Sequence, residues 1–108
     1  MRLYGLKTCD TCRAARKALA AAGKEPDYTD VRADGVPAAD LARFLAEFGE
    51  ALINKRSTTW RGLPEAERVG DPLALLIAHP TLMKRPVIEA DGQLYLGWGK
   101  DVQARLLG

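Results

Sequence analysis

A short apolar run, Leu3 to Leu6, halts at Lys7-Thr8-Cys9-Asp10-Thr11, and small apolar residues then recur at helical spacing at Ala15, Ala18, Leu19 and Ala22. The run is too short for a helix and lacks polar alternation, so it reads as a buried strand. Thr8, Asp10 and Thr11 are the residue types that close the first turn of a helix. Gly23 supplies the stop, and Tyr28 to Val31 reads as a second strand. Strand, helix and strand within so few residues imply a parallel pair joined by a right-handed crossover, which commits the chain to the α/β class.

The following segments are helical. Pro37 suits the first turn of a helix whose Leu41, Phe44, Leu45 and Phe48 fall at i, i+3, i+4 and i+7 before Gly49. Asn54 to Gly70 is polar and broken by Gly62 and Pro64, and predicts short turns and loops. Asp71-Pro72 opens a helix carrying Leu73, Leu76 and Ile77, which ends at Pro80. Val87–Ala90 and Gln93–Gly97 flank Asp91-Gly92, a hairpin turn, and Val102 with Leu106 mark a last helix. At 108 residues, with no repeat or linker, the chain reads as one domain over residues 1–108. A Cys-x-x-Cys at the first strand-to-helix junction and a proline opening the third strand, in that order of elements, make a thioredoxin-like fold with a helical insertion between strands 2 and 3.

Composition narrows the function. With 47% hydrophobic and 28% charged residues, disordered and fibrous classes are excluded. No apolar run reaches the roughly 18–20 residues of a membrane span, and the start Met1-Arg2-Leu3-Tyr4-Gly5 carries no leader core, so the chain reads as cytoplasmic, without a membrane partner. Sixteen basic against fourteen acidic residues give a net charge of +2, too little to predict direct DNA binding. Two cysteines in a chain of that compartment point to redox chemistry more than to structural bridges.

Cys9 is expected at the N-terminus of the first helix, where unpaired amides favour a thiolate and Lys7 and Arg13 add positive charge. Cys12, three residues on along the same face, can reach Cys9 to displace a mixed disulfide. Zinc needs more ligands than this chain's lone histidine, His79, supplies, so no metal is expected. His79-Pro80 sits where a histidine commonly answers a helix C-terminal dipole. Arg85 precedes Pro86; a cis bond there turns the guanidinium toward the Cys9 loop, whereas a surface arginine is the plain alternative. Lys55-Arg56 either binds an anion or is a solvated loop. Trp60 and Trp98 read as core or cleft-lining aromatics.

Three blocks carry a family resemblance: Tyr4 to Arg13, Leu52 to Arg56, and His79 to Val87. In that order they resemble the glutaredoxin-coupled arsenate reductase family, ArsC, and within it the YffB and Spx-like branch. The resemblance implies that Cys9 is the nucleophile, that arginines hold an oxyanion, and that glutathione with glutaredoxin completes the reduction. Arg85 matches the arginine before the proline. The loop arginine falls at Asn54, beside Lys55 and Arg56, and a third falls near Trp98, so two guanidinium positions are vacated and arsenate becomes a doubtful substrate. Cys12 stands where the reductases carry serine and agrees with Spx-like proteins. The resemblance thus implies a glutathione-dependent thiol reductase acting on a disulfide or small oxyanion. Its catalytic residues are Cys9 and Cys12, its anion-binding residues Arg85, Pro86, Lys7, Arg13, Asn54, Lys55 and Arg56, and it uses glutathione as co-substrate without a tightly bound cofactor. The alternative it implies is a redox regulator that binds the C-terminal domain of the RNA polymerase α subunit and switches through a Cys9–Cys12 disulfide.

Overall fold

Leu3 and Tyr4 of β1 (Arg2–Gly5) point to opposite faces and are both buried, which makes this strand central, as its apolar composition requires. The computed structural model describes residues 1–108 and places β1 between β2 (Asp27–Asp30) and β3 (Val87–Ala90), with β4 (Gln93–Leu96) at the far edge of β3. β1 pairs with β2 in parallel, and the β1–β3 and β3–β4 pairs are antiparallel. The mixed α/β architecture expected from the sequence is the one observed.

The chain divides into two compact units, residues 1–34 with 85–108 and residues 35–84. The first contains the sheet together with α1 (Asp10–Ala21) and a C-terminal helix over Lys100–Leu107. On one face of the sheet, Leu3, Ile88 and Ala90 pack with Ala15 and Leu19 of α1 and with Leu106 of the last helix. Tyr95, Trp98 and Val102 border that cluster, so Trp98 is a half-buried core aromatic. Asp91 (φ 51°) and Gly92 (φ 78°) both adopt the left-handed conformation of a tight hairpin turn.

β2 begins and ends one residue earlier than Tyr28–Val31. Its end is set by Asp30, whose carboxylate accepts the amides of Arg32 and Ala33 and so turns the chain out of the sheet. Val31 is fully buried and still donates its amide to the Gly5 carbonyl.

The second unit is helical: α2 (Ala38–Phe48), a 3₁₀ turn over Gly49–Leu52, α3 (Thr58–Arg61), α4 (Glu65–Arg68), α5 (Pro72–Ala78) and a 3₁₀ turn over Pro80–Leu82. The helix over Lys100–Leu107 is therefore α6. Pro37 caps α2 instead of occupying its first turn. Leu41 and Phe44 are buried, and Leu45 and Phe48 half-buried, on the expected face. Asp71 caps α5 by accepting the Ala74 amide at 3.1 Å. Of the expected face of α5, Leu76 is buried and Leu73 half-buried, but Ile77 is corrected: it is 52% exposed, and Leu75 is buried instead. Pro72, Leu73 and His79 are half-buried about the buried Leu75 and Leu76. No helix is long and apolar enough to cross a membrane.

Candidate active site

Cys9 is the N-cap of α1. Its backbone is extended (φ −87°, ψ 115°), its amide donates to the Leu6 carbonyl and its carbonyl accepts the Arg13 amide, the first bond of the helix. No Ser, Thr, Asp or Asn oxygen closes this turn. Instead, the thiol and amide of Cys12 and the guanidinium of Arg85 are directed at the Cys9 sulfur. Burial opposes ionisation of the partly exposed Cys9, but those groups outweigh it and hold its thiol below the ordinary value. Cys12 is fully buried; desolvation, followed by the neighbouring Cys9 sulfur, pushes its thiol up to about 12. Both cysteines are reduced. The pair therefore divides into an ionisable thiol near the surface and a protonated thiol beneath it.

Two residues outside the expected site hold this geometry. A Cβ on Gly5 would lie 2.7 Å from the Cys12 sulfur and 3.1 Å from its Cβ, so only glycine lets α1 bring Cys12 against β1. Asp30 is 6% exposed, and besides the turn amides it accepts the amide of Lys7 on the loop leading to Cys9. The Ala33 amide is the chief cause of its lowered carboxyl value; burial opposes this, and the Arg32 and Lys7 amides and the Lys7 charge assist. A close approach across elements leaves no local signal in the sequence. For Asp30, the signal was an aspartate three residues before the amide it caps.

The other expected residues separate. Arg85 belongs to the Cys9 environment, and the Arg85–Pro86 bond is cis, with Pro86 fully buried. Lys7 and Arg13 flank Cys9 in sequence, yet Lys7 acts on Asp30 and Arg13 pairs with Asp10, so the cation assisting the Cys9 thiolate is Arg85. Asn54, Lys55 and Arg56 belong to the helical unit. The Asn54 side chain accepts the Arg56 amide at 3.1 Å, so this residue serves a turn. Lys55 lies 4.0 Å from a Glu50 carboxylate oxygen and 5.7 Å from the centroid of the half-buried Trp60 ring. His79 ends α5. No group of three His, Cys, Asp or Glu side chains is placed to hold a metal ion.

The sequence pattern of the ArsC family matches residues 4–105. This chain belongs to the ArsC family. An uncharacterised protein of Haemophilus influenzae is 41% identical over 94% of this ArsC-family chain and 95% of its own length. The structure of a YffB protein is 36% identical, with a TM-score of 0.89, covering 98% of this chain and 97% of that one. An ArsC-related protein from Brucella melitensis is 38% identical, with a TM-score of 0.73 and coverage of 96% and 93%. Since the family pattern spans nearly the whole chain, the ArsC assignment takes in the Cys9 loop, the helical unit and the Arg85–Pro86 turn together.

Proposed function

We propose that the protein is a thiol–disulfide oxidoreductase supplied with electrons by glutathione, with Cys9 as nucleophile and Cys12 as resolving thiol. The observation that carries this reading is the opposite displacement of two thiols three residues apart: Cys9 held low, Cys12 pushed up to about 12. A thiolate attacks while a thiol waits, so the two steps are ordered. The Cys9 thiolate attacks a substrate disulfide, forming a mixed disulfide and expelling the first substrate sulfur as thiolate. Cys12 then gives up its proton to that leaving sulfur and attacks Cys9, closing the Cys9–Cys12 disulfide and releasing the second substrate sulfur as a thiolate, which takes up the proton shed by the incoming glutathione. Two glutathione molecules, directly or through glutaredoxin, reopen the disulfide and leave as oxidised glutathione. Each turnover thus converts one disulfide and two glutathiones into two thiols and one oxidised glutathione.

Arg85 is the cation for an anionic group on glutathione or substrate, next to the reacting sulfur. Arsenate is the weaker substrate on this reading, although the relative from Brucella melitensis is described as arsenate reductase related. Asn54 is occupied in a turn and Trp98 in the core, and neither offers a guanidinium fork to an oxyanion.

The test is turnover of purified protein with glutathione and, in parallel, a mixed disulfide, arsenate and a peroxide. Reduction of the mixed disulfide that is lost in Cys9→Ser is expected, and Arg85→Ala is expected to weaken it by about 1.5–3 kcal/mol with little change in melting. If no substrate is turned over while mild oxidation still closes the Cys9–Cys12 disulfide, the enzyme assignment is wrong and the regulator binding the RNA polymerase α subunit takes its place.

A further inference from the structure

On the same unit as the cysteines, Arg13, Arg16 and Lys17 of α1 line a recess of about 280 Å³ together with Glu25 and Pro26. Its charged lining is three cations against one carboxylate, in a chain whose whole net charge is +2. Arg16 is fixed in place: its guanidinium carbon stacks 3.9 Å from the centroid of the Tyr28 ring. Arg13 is exposed and shares its charge with Asp10, and Lys17 is exposed. Helical spacing sets Cys9, Arg13 and Arg16 in one row at i, i+4 and i+7, with Lys17 on its flank. The lining of the recess therefore begins at Arg13, about one helical turn along α1 from Cys9. At 1.5 Å of rise per residue, Arg16 and Lys17 lie roughly 10–12 Å along the helix from Cys9. An extended peptide covers that span in about three residues.

We propose that the recess receives an extended acidic segment of a protein substrate, placing carboxylates about three residues from a substrate cysteine whose disulfide Cys9 attacks. This rests on Cys9 being the nucleophile and names the class of disulfide it prefers. A substrate arm lying along α1 meets in turn Arg13, Arg16 and Lys17. Its carboxylates gain Coulomb attraction at the exposed cations, against Glu25 as the one carboxylate of the lining and Asp10 paired with Arg13. The stacked Arg16 offers a preset guanidinium, so little side-chain freedom is lost on binding.

Two synthetic octapeptides test this, each with one cysteine in a mixed disulfide with thionitrobenzoate. One has Asp and Glu at the third and fourth positions after the cysteine; the other has Asn and Gln there. Cys9 attacks the peptide sulfur, the S–S bond to thionitrobenzoate breaks, and the coloured thiolate leaves with the electron pair, so one reaction reads out directly. Each rate is divided by that of the same peptide with free N-acetylcysteine, which removes intrinsic reactivity. At low ionic strength the normalised acidic-to-amide ratio is expected to be about tenfold, the lower end of electrostatically steered association. It is expected to collapse toward unity in molar salt and also in Lys17→Glu, which leaves two cations against two carboxylates in the lining and whose exposed position keeps the fold, as a melting curve verifies. A ratio of one on the wild-type protein, or a ratio that survives both salt and Lys17→Glu, overturns the recess as a binding site and leaves the nucleophile standing. Equal colour release by Cys9→Ser and wild type overturns the nucleophile and this proposal with it.

Discussion

A single hydrogen separates the Gly5 side chain from collision with Cys12. Alanine there would bring its Cβ to 2.7 Å from the Cys12 sulfur and 3.2 Å from Leu3 Cδ2, and core overpacking of this kind costs about 1–3 kcal/mol. Urea unfolding of Gly5→Ala is expected to show that loss. The double variant Gly5→Ala/Cys12→Ala should recover part of it, because the two side chains compete for one volume; strict additivity would contradict the contact. Chemistry at the same point is read by alkylation. The rate of Cys9 with iodoacetamide should rise to a plateau below the free-thiol value near ~8.5. Cys12→Ala, which removes the thiol and keeps the amide, and Arg85→Ala should each move the midpoint upward, since both side chains hold the thiolate. An unmoved midpoint in Cys12→Ala would remove Cys12 from that role. Cys9 and Cys12 were legible as a pair from spacing alone, and Arg85 from the proline after it. Gly5 was not, because its demand comes from a sulfur seven residues away on another element.

Helical elements were legible to the extent that their buried stripe was apolar. α2 displays Leu41, Phe44, Leu45 and Phe48, and its face was read correctly. α5 has only seven residues, about two turns, so Leu73 and Leu76 were read correctly but one short apolar period could not separate the buried Leu75 from the exposed Ile77. Alanine substitutions separate the two readings. Leu76→Ala should destabilise by about 2–5 kcal/mol, as fully buried leucines do. Ile77→Ala should stay within ~0.5 kcal/mol of wild type in the same denaturant titration, in line with exposed positions. Turns followed the same logic. Asp91-Gly92 announced its hairpin because both residues tolerate positive φ, whereas the end of β2 depended on a carboxylate reaching amides at Arg32, Ala33 and, across the sheet edge, Lys7.

For the molecule as a whole, these local groups set how stability follows pH. Asp30 has its carboxyl below the ordinary value, so its contribution is complete above the unfolded value near ~3.9 and is lost as pH falls through the lower folded value. Cys12 behaves in the opposite sense. From about 8.5 upward the unfolded chain releases the Cys12 proton while the folded protein keeps it to about 12; the folded state then binds more protons, and stability falls as pH rises. The Cys9 shift acts the other way, but its gain is complete by ~8.5 and does not offset that loss. Thermal melting of the reduced protein between about pH 8 and about pH 10 should therefore fall more steeply in wild type than in Cys12→Ala. Asp30→Asn should be less stable near neutrality and lose less on acidification below about pH 4. Parallel slopes in either comparison would contradict the corresponding environment.

The α/β class, the order of strands and helices, the hairpin, the Cys-x-x-Cys at a helix start and the ArsC resemblance were all legible in the linear chain. Each of these is written in neighbouring residues: apolar period, capping chemistry, turn residues and spacing. Packing in three dimensions makes Arg85, and not Lys7 or Arg13, the cation at Cys9, seals Cys12 against Gly5, and ties the end of β2 to the Cys9 loop through Asp30. Charge and burial act through space, and the strand pairing that brings residues 5, 12, 30 and 85 into one unit has no trace in any local window of the chain.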